Sequence, residues 1–301
     1  MTTAASPRRL VWNRLMRHRL AQVSLAFLVV LLVLSLAAPL IADLRGIDPS
    51  TTDLFRRLEG PSAEHWLGTD DLGRDLFQRL LDGGRVSLLV GLSGALLSAI
   101  LGAIVGVLAG YLGGRLDSVL MRLTDGVIAL PLLPLLIVLA AIDPRKIGIP
   151  AEIAQSETFS LYRIVVIVAL TGWTTVARLV RAETLSLKAR DFTRAAQALG
   201  AVPLRIMFRH ILPNAAGSLV VATTMSVGTL ILFESTLSFL GLGTQPPAAS
   251  WGNMLTGAQE LLQQAPVLAL WPGLLIFLTV IAFNFVGDGL QDALDPRSER
   301  R

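Results

Sequence analysis

The sequence predicts an all-α polytopic membrane protein with six transmembrane helices. Of its 301 residues, 53% are hydrophobic and only 16% are charged, whereas soluble domains carry about 25% charged residues. The apolar residues are also grouped into stretches of about 20 residues, the length that an α-helix needs to cross the hydrocarbon core of a bilayer. The excess and the grouping together indicate that lipid surrounds most of the chain.

Six stretches have the length and composition of a membrane span. They cover residues 21–43, 86–111, 119–142, 161–181, 215–241 and 266–290. The fourth is the least apolar, since Arg163, Arg178 and Arg181 lie near its ends, but long Arg side chains can reach the interface from there. Pro131 and Pro134 are expected to break or kink the third, because proline lacks the N–H of a helical hydrogen bond.

The distribution of basic residues predicts that both termini are cytoplasmic. Most of the 26 Lys and Arg residues fall on one side of the six spans, in the N-terminus, in the loop between the fourth and fifth spans and in the C-terminal tail. The expected division is a basic cytoplasmic N-terminus (1–20), a first transmembrane helix (21–43), an extracytoplasmic segment (44–85), a core of five helices (86–290) and a cytoplasmic tail (291–301).

The extracytoplasmic segment is long for a connection between two helices. Five of its apolar residues recur at helical spacing: Leu72, Leu76, Phe77, Leu80 and Leu81. This periodicity predicts an amphipathic helix that lies on the outer face or packs against the bundle. A solvated loop is the alternative.

The sequence contains no motif for nucleotide hydrolysis or for a metal site. A P-loop requires a lysine directly after its second glycine, and neither Lys146 nor Lys188 follows a glycine. Cysteine is absent, and the three histidines lack the spacing of metal ligands. Because the basic residues flank apolar stretches, we expect membrane lipid and not nucleic acid as a partner. The chain is therefore expected not to be an enzyme and to hold no cofactor or catalytic residue of its own.

The loop between the fourth and fifth spans, residues 185–214, predicts a short helical hairpin. Its first arm contains the helix formers Ala195, Ala196, Ala198 and Leu199. Gly200 suits the C-terminal cap of that arm, and Pro203 suits the first turn of a second helix. The apolar face of the second helix comprises Leu204, Met207, Phe208 and Ile211. Pro213 is expected to end it. The hairpin fits docking to a partner protein and packing on its own bundle equally well.

The hairpin resembles the EAA loop of binding-protein-dependent ABC importer permeases, a coupling helix that fits a groove on the ATPase subunit. Four residues fall on fixed positions of that motif: Ala195, Ala196, Gly200 and Pro213. Arg194 stands where the family usually has Glu, which implies a more acidic partner surface than usual. The residues that the resemblance assigns to ATPase coupling are Arg194, Ala195, Ala196, Gly200, Leu204, Phe208, His210 and Pro213.

Further stretches resemble the C-type permease of dipeptide and oligopeptide importers. They include residues 65–75, 84–91, 234–243 and 287–297. The resemblance implies a type I ABC importer permease fold in the bacterial inner membrane. The implied partners are a second homologous permease subunit, two cytoplasmic ATPase subunits that bind ATP and Mg, and an extracytoplasmic solute-binding protein. Peptides are the implied cargo, with nickel or glutathione as alternatives within the family and a stand-alone secondary carrier as an alternative outside it.

Five intramembrane residues are candidates for a gate or for packing. Three glycines recur every four residues, as in a stripe that lets helices approach closely: Gly102, Gly106 and Gly110. Asp125 and Glu234 are ionisable residues in apolar stretches, where burial is costly and a functional role is the first hypothesis. We expect Asp125 to pair with Arg122, three residues earlier. For Glu234, a gating and a structural role remain equally open.

Overall fold

The fold is described by a computed structural model, which covers residues 12–154 and 156–294. Residues 1–11 and 295–301, which contain much of the predicted basic N-terminus and cytoplasmic tail, lie outside the described residues. Within the described ranges there is no β-strand. The helices are α1 (Arg19–Leu36), α2 (Ala38–Arg45), α3 (Leu76–Leu112), α4 (Gly114–Ala129), α5 (Leu132–Ala141), α6 (Ala151–Ala154), α7 (Glu157–Lys188), α8 (Asp191–Ala198), α9 (Pro203–Ile206), α10 (Leu212–Phe239), α11 (Trp251–Gln259) and α12 (Val267–Leu294).

Five helical segments in the described residues are long and apolar enough to cross a membrane, and they lie at five of the six predicted positions. The third predicted span is a bent pair, α4 and α5, which meet at 90°. Counted as one span, the pair gives the predicted total of six. The break falls at Leu130 and Pro131, which confirms the predicted interruption. Pro134 lies in the first turn of α5, where its missing N–H costs no helical hydrogen bond.

The second span begins at Leu76 and not at residue 86, so the predicted helix is the first part of that span and packs on the bundle, and the predicted boundary at 86 is wrong. The carboxylate of Asp75 accepts the backbone N–H of Gln78 at 2.7 Å and caps the helix, which then runs unbroken to Leu112. Three of the predicted apolar residues are buried in the bundle: Leu76, Leu80 and Leu81. A surface helix and the end of a buried span share the same hydrophobic period, so the period alone did not mark the boundary.

The glycine stripe of α3 lies against α7. A Cβ atom on Gly106 would stand 2.6 Å from the carbonyl oxygen of Ala177, and one on Gly102 would stand 2.6 Å from Cβ of Val176. At Gly110 the nearest atom would be Cβ of Thr184, at 2.8 Å. The absence of side chains at these positions therefore lets the two helices pack backbone to backbone, as small residues do at contacts between transmembrane helices.

The hydrophobic core joins α10 to α3, α7 and α12, and α1 covers the outside of α12. A second hydrophobic cluster joins the ends of α3 and α7 to the hairpin of α8 and α9. We call the end of the bundle that carries residues 186–211 the hairpin end. The opposite end, which carries residues 46–75 and 240–250, is the loop end.

Candidate functional site

The predicted hairpin has two short arms separated by a tight turn. After α8, the N–H of Gly200 donates to the carbonyl of Gln197 at 2.9 Å and the N–H of Ala201 donates to that of Ala196 at 3.0 Å. These two bonds form a Schellman motif, which places Gly200 in the left-handed region at φ +79°. Glycine adopts this conformation without the strain that a Cβ atom would introduce.

The inner face of the hairpin is fixed to the bundle. Four apolar side chains are buried against α3 and α7: Ala196, Ile206, Met207 and Ile211. Lys188 donates from Nζ to the carbonyl oxygen of Tyr111 at 2.6 Å, and the hydroxyl of Thr193 donates to the carbonyl of Leu187 at 2.8 Å. These contacts hold the turn in one orientation relative to the ends of α3 and α7.

The outer face of the hairpin is apolar and exposed. Leu199 is 88% exposed, and Val202, Leu204 and Phe208 are each more than half exposed. A Cβ atom built on Gly200 would meet no atom within 4 Å. The apolar residues are flanked by exposed basic side chains: Arg190, Arg194, Arg205 and Arg209. A rigid, exposed apolar ridge with a charged rim is typical of a surface that binds another protein.

The structure places the predicted coupling residues on both faces of this hairpin. Six of them are exposed: Arg194, Ala195, Gly200, Leu204, Phe208 and Pro213. Ala196 is buried and faces the bundle. His210 is half-buried, and the backbone carbonyl of His210 accepts a hydrogen bond from the side chain of Asn214 at 2.6 Å.

The prediction that Pro213 ends the second arm is wrong. A π turn, Met207–Ile211, connects α9 to α10, and Pro213 occupies the first turn of α10. In that position proline fits a helix that continues, because the N–H groups of the first turn need no intrahelical partner. The outer arm of the hairpin and the fifth span therefore form one helical segment, Pro203–Phe239.

The predicted partner of Asp125 is also wrong. Its carboxylate accepts a hydrogen bond from Arg178 of α7 and not from Arg122. Both side chains of this pair are more than half exposed. A neighbouring pair, Arg181 with Asp117, is bidentate, with distances of 2.6 and 2.7 Å. The two pairs connect α4 to α7, so the acidic residues of α4 contact a neighbouring helix instead of their own.

Glu234 is fully buried near the loop end. Its carboxylate accepts hydrogen bonds from the hydroxyls of Ser87 at 2.9 Å and Ser238 at 2.7 Å. The oxygen of Ser87 also accepts the backbone N–H of Trp251 at 3.3 Å. Through these bonds Glu234 connects α3 and α10 to the start of α11.

The loop end contains an ion-pair network that the sequence analysis did not identify. Asp75 is fully buried, and its carboxylate contacts Arg45 at 3.1 Å and the Nδ1 atom of His65 at 3.0 Å. Arg45 also stacks on the ring of Trp66, 4.4 Å from its centroid. The alternation of acidic and basic residues from position 70 to 79 could have indicated an ion-pair network. It could not have identified the partners of Asp75, because Arg45 and His65 are distant from it in sequence.

The described residues contain no group of three or more His, Asp or Glu side chains that could hold a metal ion. The whole chain contains no cysteine.

Two family models match the chain. Residues 102–300 match the model described as binding-protein-dependent transport system inner membrane component, and this match includes the hairpin. Residues 6–61 match the model of the N-terminal TM domain of oligopeptide transport permease C.

Three relatives are similar over nearly the whole chain. The oligopeptide transport system permease protein OppC of Bacillus subtilis is 39% identical over 94% of this chain and 88% of its own. The dipeptide transport system permease protein DppC of Alkalihalophilus pseudofirmus is 39% identical over 98% and 91% of the two chains. The glutathione transport system permease protein GsiD of Shigella flexneri is 41% identical over 95% and 89%. The chain therefore belongs to the family of binding-protein-dependent transport system inner membrane components, the membrane permease subunits of ABC importers.

Proposed function

We propose that this chain and a second homologous permease subunit together form the membrane pathway of an ATP-driven peptide importer. In this proposal residues 185–214 dock on a cytoplasmic ATPase subunit, which binds ATP and Mg. An extracytoplasmic solute-binding protein delivers the cargo to the loop end.

The observation that carries the docking proposal is the exposed apolar ridge of the hairpin. Leu199, Leu204 and Phe208 are exposed although the backbone below them is firmly packed. When a partner protein covers exposed apolar side chains on a rigid turn, burial of that apolar surface lowers the free energy of the complex. The chain has no P-loop lysine of its own, and in this proposal a separate subunit supplies ATP hydrolysis.

The proposed orientation rests on charge. The hairpin end carries Arg190, Arg194, Arg205 and Arg209 on its surface, and basic residues accumulate in cytoplasmic loops of membrane proteins. For the ATPase, the exposed basic rim implies a docking groove with acidic residues at its edge. With an even number of spans, this orientation puts both termini in the cytoplasm.

The proposed cargo rests on the relatives. Their names assign oligopeptides, dipeptides and glutathione to them, and glutathione is itself a modified tripeptide. Peptides are therefore the class of solute that these relatives share. The separate solute-binding protein would determine which peptides are delivered.

The proposal is tested by purifying the chain from its native membrane and reconstituting the complete importer in proteoliposomes. We expect an ATPase and a second permease to co-purify with the chain. We also expect the reconstituted importer to take up a tri-alanine peptide only when ATP and the binding protein are present. If the chain alone accumulates the peptide on a proton or sodium gradient, it is a secondary carrier and the proposal is wrong.

A further inference from the structure

A cleft of about 500 Å³ opens beside the break in the third span. The end of α4 and the start of α5 form one wall, and α7 and α10 form the others. Five of the lining residues carry hydroxyl groups: Thr171, Thr174, Thr175, Ser226 and Thr229. None of the lining residues is charged.

The opposite face of α10 borders a second concavity, an apolar groove of about 930 Å³ between α3, α10 and the hairpin. Only two of its lining residues carry hydroxyl groups, Thr223 and Thr224. Both hydroxyls donate to carbonyl oxygens of their own helix, at 2.7 and 2.9 Å. Such back-bonding satisfies a hydroxyl in lipid, so this groove suits an apolar environment.

The cleft differs from the groove in its hydrogen-bonding capacity. Thr171, Thr174 and Ser226 donate to carbonyls of their own helices at 2.8 to 3.2 Å. Thr175 and Thr229 are exposed and make no hydrogen bond to any residue that the structure describes. A hydroxyl that has donated its proton still has acceptor capacity. The cleft therefore differs from the groove by the unpaired hydroxyls of Thr175 and Thr229, which can donate and accept, while all five of its hydroxyls keep acceptor capacity.

The break in the backbone points to the same conclusion. The cleft is lined by Leu130 and Leu132, which flank the non-helical residue Pro131. Irregular backbone inside a membrane is tolerated only where it is covered by protein or lines a water-filled cavity. The cleft therefore faces another protein or a water-filled pathway and not lipid tails.

We infer that this cleft is where the chain binds the main chain of a peptide in transit, which rests on the proposed function. The N–H groups of a peptide are donors that match the acceptors of the cleft. The absence of charge lets cargo with different side chains pass without a strong ion pair that would retain it. Met225 and Phe233 also line the cleft and provide apolar contact, which in methionine adapts to side chains of different shape.

Cysteine labelling tests where the cleft faces. Because the chain has no cysteine, Ser226→Cys and Thr229→Cys each introduce a thiol that is unique in this subunit. Thr224→Cys is the matched control, since it lies on the same helix but in the apolar groove. The variants are assembled into the complete importer in proteoliposomes, on partner subunits without reactive cysteine, and treated with a charged, membrane-impermeant thiol reagent.

We expect residues 226 and 229 to be labelled in at least one state of the ATP cycle, and residue 224 in none. Binding protein loaded with tri-alanine, together with ATP, should remove most of this labelling. If residues 226 and 229 are as unreactive as residue 224 in every state, lipid or a partner helix covers the cleft and the inference is wrong. Labelling that the peptide does not affect also contradicts it.

A transport measurement supplies the second readout. We expect Thr229→Val to slow tri-alanine uptake about three- to tenfold at saturating binding protein, the effect of one lost hydrogen bond, while ATP hydrolysis is unchanged. Thr224→Val should leave both rates as in wild type. An equal loss in both variants would contradict the inference. If the wild-type importer takes up no peptide, the proposed function fails, whereas the labelling still reports on the cleft.

Discussion

The two ends of the bundle differ in which kinds of side chain they bury and which they expose. At the loop end, Asp75 and Asp70 are buried and hydrogen-bonded to Arg45, Arg74 and Arg79. At the hairpin end most of the buried side chains are apolar, and the exposed face carries an apolar ridge flanked by basic side chains. Buried charges require partners within the same chain, whereas an exposed apolar ridge lowers its free energy by contact with another chain. The difference indicates that the loop-end network stabilises this subunit, and it supports the proposal that the hairpin end docks on a partner.

The largest effect on transport is expected at the tip of the hairpin. Gly200→Trp places a large side chain on the exposed tip, at a φ that disfavours any Cβ atom. Loss of a central interface position costs about 2–4 kcal/mol, or roughly 30- to 700-fold in affinity. We therefore expect loss of ATPase co-purification and of ATP-driven uptake, with normal insertion in the membrane.

Gly148→Trp is the matched control. Gly148 also has a positive φ and no atom within 4 Å of its Cβ position, but it lies in the connection between α5 and α6. We expect this variant to retain the ATPase. Equal loss in both variants, or wild-type coupling in Gly200→Trp, would contradict the difference between the hairpin and the rest of the surface.

The largest effect on folding stability is expected in the loop-end network. Asp75→Ala removes a fully buried carboxylate and leaves the Arg45 guanidinium without its partner. Breaking a buried ion pair from one side costs about 3–5 kcal/mol, so thermal unfolding in detergent should shift to a clearly lower temperature. Uptake by molecules that remain folded should be unchanged.

An exposed ion pair provides the comparison for Asp75. Hydrogen bonds from Arg145 lower the pKa of Asp143 to about 2, yet the side chain of Arg145 is 59% exposed and that of Asp143 is 29% exposed, against 0% for Asp75. Solvent screens such pairs, so Asp143→Ala should leave the unfolding temperature unchanged. A similar shift in both variants would show that burial does not distinguish the two networks.

An intermediate effect on folding stability is expected where α3 packs against α7. Gly106→Ala adds a Cβ atom 2.6 Å from a backbone oxygen, which the packed helices can accommodate only by moving apart. Overpacking of this kind costs about 1–3 kcal/mol. Gly126→Ala is the control, since nothing lies within 4 Å of its Cβ position, and it should stabilise α4 by about 0.5–1 kcal/mol. Unfolding in detergent measures both, and equal effects would argue against close packing at Gly106.

The smallest effect on stability is expected at Glu234. Glu234→Gln keeps an oxygen that accepts from Ser87 or Ser238, so we expect a change of less than about 1 kcal/mol. Uptake separates the two roles that the sequence left open. A structural residue predicts uptake close to wild type, whereas a tenfold loss with unchanged unfolding would assign Glu234 to a gate.

The sequence predicted elements that depend on local signals. The apolar stretches located the spans because lipid requires about 20 apolar residues in succession. Pro131 located the break in the third span, since proline cannot donate a helical hydrogen bond. Gly200 marked the turn of the hairpin, because its left-handed conformation is a property of glycine itself.

The features that were missed depend on contacts distant in sequence. Asp125 has Arg122 as its neighbour on the same helix, but the packing of α4 on α7 brings Arg178 to it. Pro213 is compatible with both the end and the start of a helix, and the π turn before it decides between them. The partners of Asp75 are Arg45 and His65, and no periodicity connects these three positions.

The unbroken helical segment from Pro203 to Phe239 has a mechanical consequence. At a rise of 1.5 Å per residue, its 37 residues form a rod about 55 Å long, with Leu204 near one tip and Thr229 far along it. In the proposed importer, a movement of the docked ATPase reaches Thr229 through the π turn Met207–Ile211 and Pro213, where a helix can bend. A tilt of the segment by a few degrees about its tip corresponds to a displacement of several ångströms at Thr229.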